Sequence, residues 1–319
     1  MRYSKRDAKS YAQTHLRGIW AAALQPFHAD GSLDEEGFRR NIHHWTTELG
    51  IDGIFVGGKQ GEFFSMSLEE RKRVFDIAVS AAGDRAATIM SCSDQNMDTV
   101  IELARYAQRC GADYVVVHAP VLSFLTARDE TLLRYYTDIA SKVDIGIALW
   151  SHVDSGYLMS PELCNRIADI ENVVAIKYSV PREMYAELTR LARDRLIVST
   201  SSEEEWLDNI VELGWRLYLS STPPYLLQSA ADRRMRRYTD LAFDGQVAAA
   251  RKIRDSLAPI RSALKETRPA EKPHAQQKYW QELLGQAGGA VRRPLLELTA
   301  AEKETVRRAF AACGLRVAA

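Results

Sequence analysis

The stretch Asn172-Val173-Val174-Ala175-Ile176-Lys177-Tyr178-Ser179 sets four apolar residues between turn-prone or polar flanks and ends them on a lysine. Such a run is the pattern of a short, fully buried β-strand. Lysine is costly to bury because its ammonium loses hydration. Held at the end of an apolar strand it can instead lose its proton, and a neutral amine attacks a carbonyl to form a Schiff base. The plainer alternative is a lysine that snorkels to solvent or pairs with a carboxylate. The strand alone does not choose between the two.

Outward from this strand the same grammar repeats. Gly18-Ile19-Trp20-Ala21-Ala22-Ala23-Leu24 has the composition of a first buried strand, and Gly53-Ile54-Phe55-Val56 of a second. Between them Phe38, Ile42, Trp45 and Leu49 fall at helical spacing behind an acidic first turn. Ser67-Leu68-Glu69-Glu70 fits a capping box that opens a helix running to Ala82. Further strands are predicted at 86–90, 114–117, 145–150, 173–177, 196–200 and 216–220. Helices are predicted between them at 96–110, 130–141, 161–170, 182–193 and 203–213.

Eight strands alternating with helices, at spacings of roughly 25–35 residues, imply an α/β chain folded as a parallel (β/α)8 TIM barrel. An open doubly wound sheet is the alternative, but no GxGxxG fingerprint follows the first strand. From Leu241 onward strand signals stop and helical stretches dominate, broken at Arg268-Pro269 and Gly288-Gly289. The expected organisation is a helical extension over 1–17, the barrel over 18–240 and a C-terminal helical appendage over 241–319.

In a (β/α)8 barrel the reacting groups gather at the C-terminal ends of the strands. Lys59 and Gln60, Ser91, His118, Ser151 and His152, Lys177, Ser199 and Thr200, and Ser220 and Ser221 fall there. That placement favours the Schiff-base reading of Lys177 over the solvated one.

Composition narrows the partners. The 42 basic and 42 acidic side chains cancel, so no global field favours nucleic acid or an anionic membrane. The run Arg233-Arg234-Met235-Arg236-Arg237 is short and suits a solvated helix face. No segment reaches the run of about 18 apolar residues that a membrane span needs. The start, Met1 to Asp7, has no apolar core, so no secretory signal is expected and a cytoplasmic protein is. Cys92, Cys110, Cys164 and Cys313 show no metal-ligand spacing, and free thiols are expected.

The chain resembles the dihydrodipicolinate synthase/N-acetylneuraminate lyase family of class I aldolases and lyases, from about Gly18 to Leu315. The carriers are Gly53 to Glu62, Ser67-Leu68-Glu69-Glu70-Arg71, Gly111-Ala112-Asp113-Tyr114, Val174-Ala175-Ile176-Lys177 and Arg292-Arg293-Pro294-Leu295. Each piece is weak alone; in this order and spacing they are strong together. The resemblance implies a (β/α)8 barrel with C-terminal helices, a homo-oligomer (tetramer or dimer), and an imine between Lys177 and pyruvate or a related 2-oxo acid. Making or breaking a carbon–carbon bond with an aldehyde partner follows. A protonated imine is a better electron sink than a ketone and stabilises the enamine at the adjacent carbon. Neither a metal nor an external cofactor is then required.

The departures bear on substrate. After Gly58 the family usually has two hydroxyl residues that hold the oxo acid's carboxylate; here Lys59-Gln60 stand there. Lys59 can serve a carboxylate as a point charge, or turn outward to an acidic neighbour. Glu62 is expected to be structural, accepting backbone hydrogen bonds. Where the family has a relay tyrosine at the end of the fifth strand, this chain has Trp150, whose indole N–H donates but cannot shuttle a proton. His152 is the nearest replacement, with Tyr157 and His118 next. Ser199 and Ser220 are further candidates for substrate contact.

The family's paired tyrosines after the fourth strand are replaced by Val121-Leu122. These changes point away from dihydrodipicolinate synthesis itself. The aromatic residues Trp20, Phe63, Phe64 and Trp150 point, by resemblance, towards an apolar or aromatic aldehyde of the hydratase-aldolase kind, although they suit barrel core as well. Two alternatives stay open: a diverged barrel that binds a 2-oxo acid as a regulatory protein, and a Schiff-base decarboxylase or dehydratase.

Overall fold

The structure is a computed structural model that describes residues 2–200, 202–220 and 222–317. The strands are β1 Gly18–Ala22, β2 Gly53–Val56, β3 Ala87–Ser91 and β4 Tyr114–His118, then β5 Gly146–Ser151, β6 Val173–Tyr178, β7 Ile197–Ser199 and β8 Leu217–Leu219. They form one eight-stranded sheet in the order β7-β6-β5-β4-β3-β2-β1-β8. The alternating helices are α1 Ala8–His15, α2 Glu35–Thr47, α3 Leu68–Ala82 and α4 Met97–Cys110, then α5 Asp129–Ser141, α6 Pro161–Ile167, α7 Arg182–Ala192 and α8 Trp206–Leu213. Five more follow: α9 Arg234–Phe243, α10 Val247–Asp255, α11 Ala258–Glu266, α12 Pro273–Leu283 and α13 Ala300–Ala312. Parallel strands alternating with helices in this order are a TIM barrel.

Local chemistry accounts for the elements. Ser67 and Glu70 form the capping box of α3, and Asn96 caps α4. Every strand ends within two residues of its expected bounds. Helices α6 and α8 are three residues shorter than the sequence suggests. Asp169 N–H closes on the Arg166 carbonyl after α6, and Trp206 N–H closes on the Glu203 carbonyl before α8. These are tight i→i+3 turns rather than α-helical ones.

The chain gathers into two compact units, Met1–Trp20 with Ala87–Ser220 and Ala21–Ala86 with Ser221–Ala319. In the first, β8 pairs with β1, and β3 to β7 pair in series. Between β7 and β8, Leu219 N–H donates to Ser199 Oγ at 2.9 Å. The N-terminal extension lies on this unit. Lys5, Lys9 and Gln13, four residues apart, donate to the carbonyls of Ala140 in the last turn of α5, Ala168 just past α6 and Asp194 in the turn after α7. Helical spacing thus carries one donor to each of three helix ends, where carbonyls lack partners of their own.

The second unit packs α2, α3 and the C-terminal helices about a core that includes Trp45, stacked on Tyr225 at 4.0 Å, and Trp280, edge-on to Phe310. Trp45 and Trp280 are both fully buried. The Trp45 indole N–H donates to Gln286, and that of Trp280 to the Leu226 carbonyl.

One detail of register positions the site. Ile147 pairs with Val173 but Ala148 with Ala175, so β6 carries one extra residue, Val174, opposite β5. Without that bulge Ile176 would stand opposite Trp150; with it, Lys177 does.

Candidate active site

Across β4, β5, β6 and β7 the register aligns His118, Trp150, Lys177 and Ser199 in one row. Lys177 is fully buried. Its Nζ donates to the Ser220 carbonyl at 2.8 Å and lies 4.9 Å from the centroid of the Trp150 ring. Trp150, 4% exposed, meets the His118 ring edge-on, at 4.7 Å and 86°. The indole is therefore a wall shared by the amine and the imidazole. Ser199 Oγ, besides accepting from Leu219, donates to the Thr200 carbonyl at 3.3 Å. Ser199 thus fixes the strand end, and Ser220 contributes its carbonyl. Ser221 lies outside the described residues.

The three relay candidates sit differently. His152 follows β5, and its Nδ1 accepts the Asp154 N–H at 3.2 Å and lies 3.1 Å from that residue's carboxylate. Its ring is 6.5 Å from that of Trp150. The Tyr157 hydroxyl donates to the Pro120 carbonyl at 2.8 Å. Burial pushes that phenol up to about 12, against the lowering effect of Arg128 over its ring. His118 is half-buried, with Nδ1 3.5 Å from Ser155 Oγ.

Gly58, Lys59 and Gln60 belong to the second unit, in the turn after β2. A Cβ on Gly58 would stand 2.7 Å from Cζ of Phe55, so a larger residue would have to displace that ring. The Lys59 carbonyl accepts from His274 Nε2 at 2.9 Å. Burial lowers the His274 pKa. Glu62, two residues beyond Gln60, has left-handed backbone at φ 56° and is fully buried. It accepts the Arg292 N–H at 2.9 Å and pairs with Lys278 Nζ at 2.5 Å. That is a structural carboxylate, and the pairing over-determines a backbone conformation that non-glycine residues otherwise avoid.

Lys278, His274 and Phe27, whose ring lies 4.5 Å from Lys278 Nζ and 4.2 Å from the Arg292 guanidinium carbon, were missed in the sequence. Lys278 sits in a mixed polar run, Gln276-Gln277-Lys278-Tyr279, that carries no mark of burial. Among the described residues no group of three or more His, Cys, Asp or Glu side chains is placed to hold a metal. The four cysteines are free thiols, and burial raises the pKa of Cys164. No helix among the described residues is long and apolar enough to cross a membrane.

Comparison with known proteins agrees with this geometry. Residues 15–313 match the model of the dihydrodipicolinate synthetase family. A 4-hydroxy-tetrahydrodipicolinate synthase from Methanothrix thermoacetophila is 28% identical over 287 residues, covering 89% of this chain and 92% of the relative. Among solved structures, dihydrodipicolinate synthase from Aquifex aeolicus superposes with a TM-score of 0.82 at 22% identity, covering 95% of this chain and all of that one. CdNal from Clostridium difficile, solved in complex with mannosamine, superposes with a TM-score of 0.81 at 23% identity, covering 93% and 99%. The chain belongs to the dihydrodipicolinate synthetase family. It is accordingly a carbon–carbon lyase of the class I, Schiff-base type, a chemistry carried by a covalent lysine–pyruvate imine without an external cofactor.

Proposed function

We propose that Lys177 is the imine-forming lysine and that it takes pyruvate or a related 2-oxo acid. The observation that carries this is the fully buried amine at the end of β6, held between the Ser220 carbonyl and the Trp150 ring. Its nitrogen attacks the keto carbon, water leaves, and a protonated imine forms. Loss of a proton from the neighbouring carbon then gives an enamine, whose electron pair attacks an aldehyde carbon. Cleavage runs the same steps backwards.

Trp150 supports an apolar or aromatic aldehyde, because a ring fixed beside the amine offers a flat face for stacking and no charge. Lys59, with Gly58 and Gln60, is proposed to serve the oxo acid's carboxylate. A replacement of Lys59 by alanine should then raise KM for the oxo acid more than it lowers kcat.

The test is turnover of 4-hydroxy-2-oxo acids and arylidene pyruvates by the unsubstituted protein and by Lys177→Ala. Retro-aldol or hydratase-aldolase activity that disappears in Lys177→Ala is the expected result. Equal activity in the two proteins would remove Lys177 from the mechanism.

A further inference from the structure

Aldol cleavage makes a demand that the imine nitrogen cannot meet. The substrate hydroxyl must give up its proton as the carbon–carbon bond breaks, and in condensation the new alkoxide must receive one. We propose that His118 makes this transfer, an inference that rests on Lys177 being the imine-forming residue.

Placement comes first. His118 and Lys177 share a register row with Trp150 between them, two strand spacings apart. That separates their backbones by roughly 9–10 Å. In an imine of a 4-hydroxy-2-oxo acid the hydroxyl lies two carbons beyond the imine carbon, about 5 Å from Nζ by ordinary bond lengths. A chain extending from Nζ along the indole therefore carries its hydroxyl towards the imidazole that meets the same ring system.

The tautomer follows from the neighbours. Ser155 donates its hydroxyl proton to the Ala119 carbonyl at 3.0 Å, so its oxygen presents a lone pair to His118 Nδ1. Nδ1 then carries the ring proton and Nε2 the lone pair, the form a general base needs. In cleavage Nε2 takes the hydroxyl proton, the O–H electron pair forms the C4=O bond of the aldehyde, and the C3–C4 bond breaks. Its electron pair moves through C3–C2 to the iminium nitrogen, giving the enamine. Condensation returns the pair to the new bond and the proton from Nε2 to oxygen.

The pocket around the imidazole is built. The backbone N–H of His118 donates to Ser93 Oγ at 2.9 Å and fixes the strand end that carries the ring. Gly156, at φ 81°, lets the turn after β5 lie against the loop after β4, where a Cβ would stand 2.6 Å from that of Ser123. The Tyr157 hydroxyl on the Pro120 carbonyl fastens the same two segments. The competing groups are engaged otherwise: His152 through Asp154, and Tyr157 by donating to Pro120.

The experiment pairs two readouts on His118→Gln and His118→Ala. Borohydride trapping with pyruvate reports the imine, and retro-aldol turnover of a 4-hydroxy-2-oxo acid reports proton transfer. The expected result is an intact pyruvate adduct with kcat lowered about 10²–10⁴-fold, and partial recovery of His118→Ala by added imidazole. Ser155→Ala, which leaves the imidazole in place, should lower kcat by about 10-fold through loss of the tautomer hold. It stands in should the His118 variants fold poorly. Turnover unchanged in His118→Gln with the adduct intact, or lost only in His152→Ala, would overturn the role of His118 and leave Lys177 standing. No adduct in the unsubstituted protein would overturn the lysine reading, and this one with it.

Discussion

Two buried lysines, one in each unit, show how differently the same side chain can be held. Lys177 and Lys278 are 0% and 1% exposed, each donates to a backbone carbonyl, and each faces an aromatic ring. Burial lowers the Lys278 pKa, and the paired Glu62 carboxylate opposes that only in part. The Arg292 N–H donates to the other carboxylate oxygen of Glu62, and the Arg292 guanidinium pairs with Glu70. Lys278 is thus a charge wedged into a structural network. Lys177 stands instead at a strand end, in a register row with an indole and an imidazole. Burial with a carboxylate makes a lysine a fixture; burial against a carbonyl and a π-face suits a nucleophile.

The largest effect on activity should come from Lys177→Met. Turnover should fall by about 10³-fold or more. The melting temperature should hold or rise, because an apolar chain of similar length replaces a buried polar amine. The largest effect on stability belongs to the other lysine. Lys278→Met leaves the Glu62 charge buried without its ammonium and should cost about 3–5 kcal/mol in denaturant unfolding. Adding Glu62→Gln, which keeps an acceptor for the Arg292 N–H, should recover most of that loss. A Lys278→Met protein as stable as the parent would erase the contrast between the two sites.

A smaller, pH-dependent effect sharpens the picture of the second unit. Glu302 caps α13, and the Lys272 ammonium, with the Thr299 N–H next, holds its carboxyl down from the ordinary 4.5 to about 2. Because the folded pKa lies below the unfolded one, this contribution is complete above pH 4.5 and is lost as pH falls towards 2. Arg292 lowers Glu70 in the same direction. Thermal melts between pH 6 and pH 3 should therefore fall less steeply in Glu302→Gln than in the parent. The smallest effect lies in the first unit: Lys9→Met or Gln13→Ala removes one helix-end hydrogen bond and should cost up to about 1 kcal/mol.

The sequence revealed the barrel because its signals are local. The run at Val173-Val174-Ala175-Ile176 and the capping box at Ser67 are each set by a few adjacent residues. Lys177 was legible for the same reason, an amine at the end of an apolar strand. What escaped depends on pairing between distant segments. The bulge at Val174 that brings Lys177 opposite Trp150 is a property of two strands together. Glu62 reads from sequence as a structural carboxylate, but its partner Lys278 lies in a helix far along the chain. His152 stands nearest Trp150 in the sequence, whereas His118 shares a register row with Trp150, a neighbourhood visible only once the strands are paired.

The most direct measurement is to incubate the protein with pyruvate, reduce with borohydride, and map the modified peptide by mass. A single pyruvate-dependent adduct on Lys177, with Lys278 unmodified, is the predicted result. An adduct on another lysine, or none in folded protein, would contradict it.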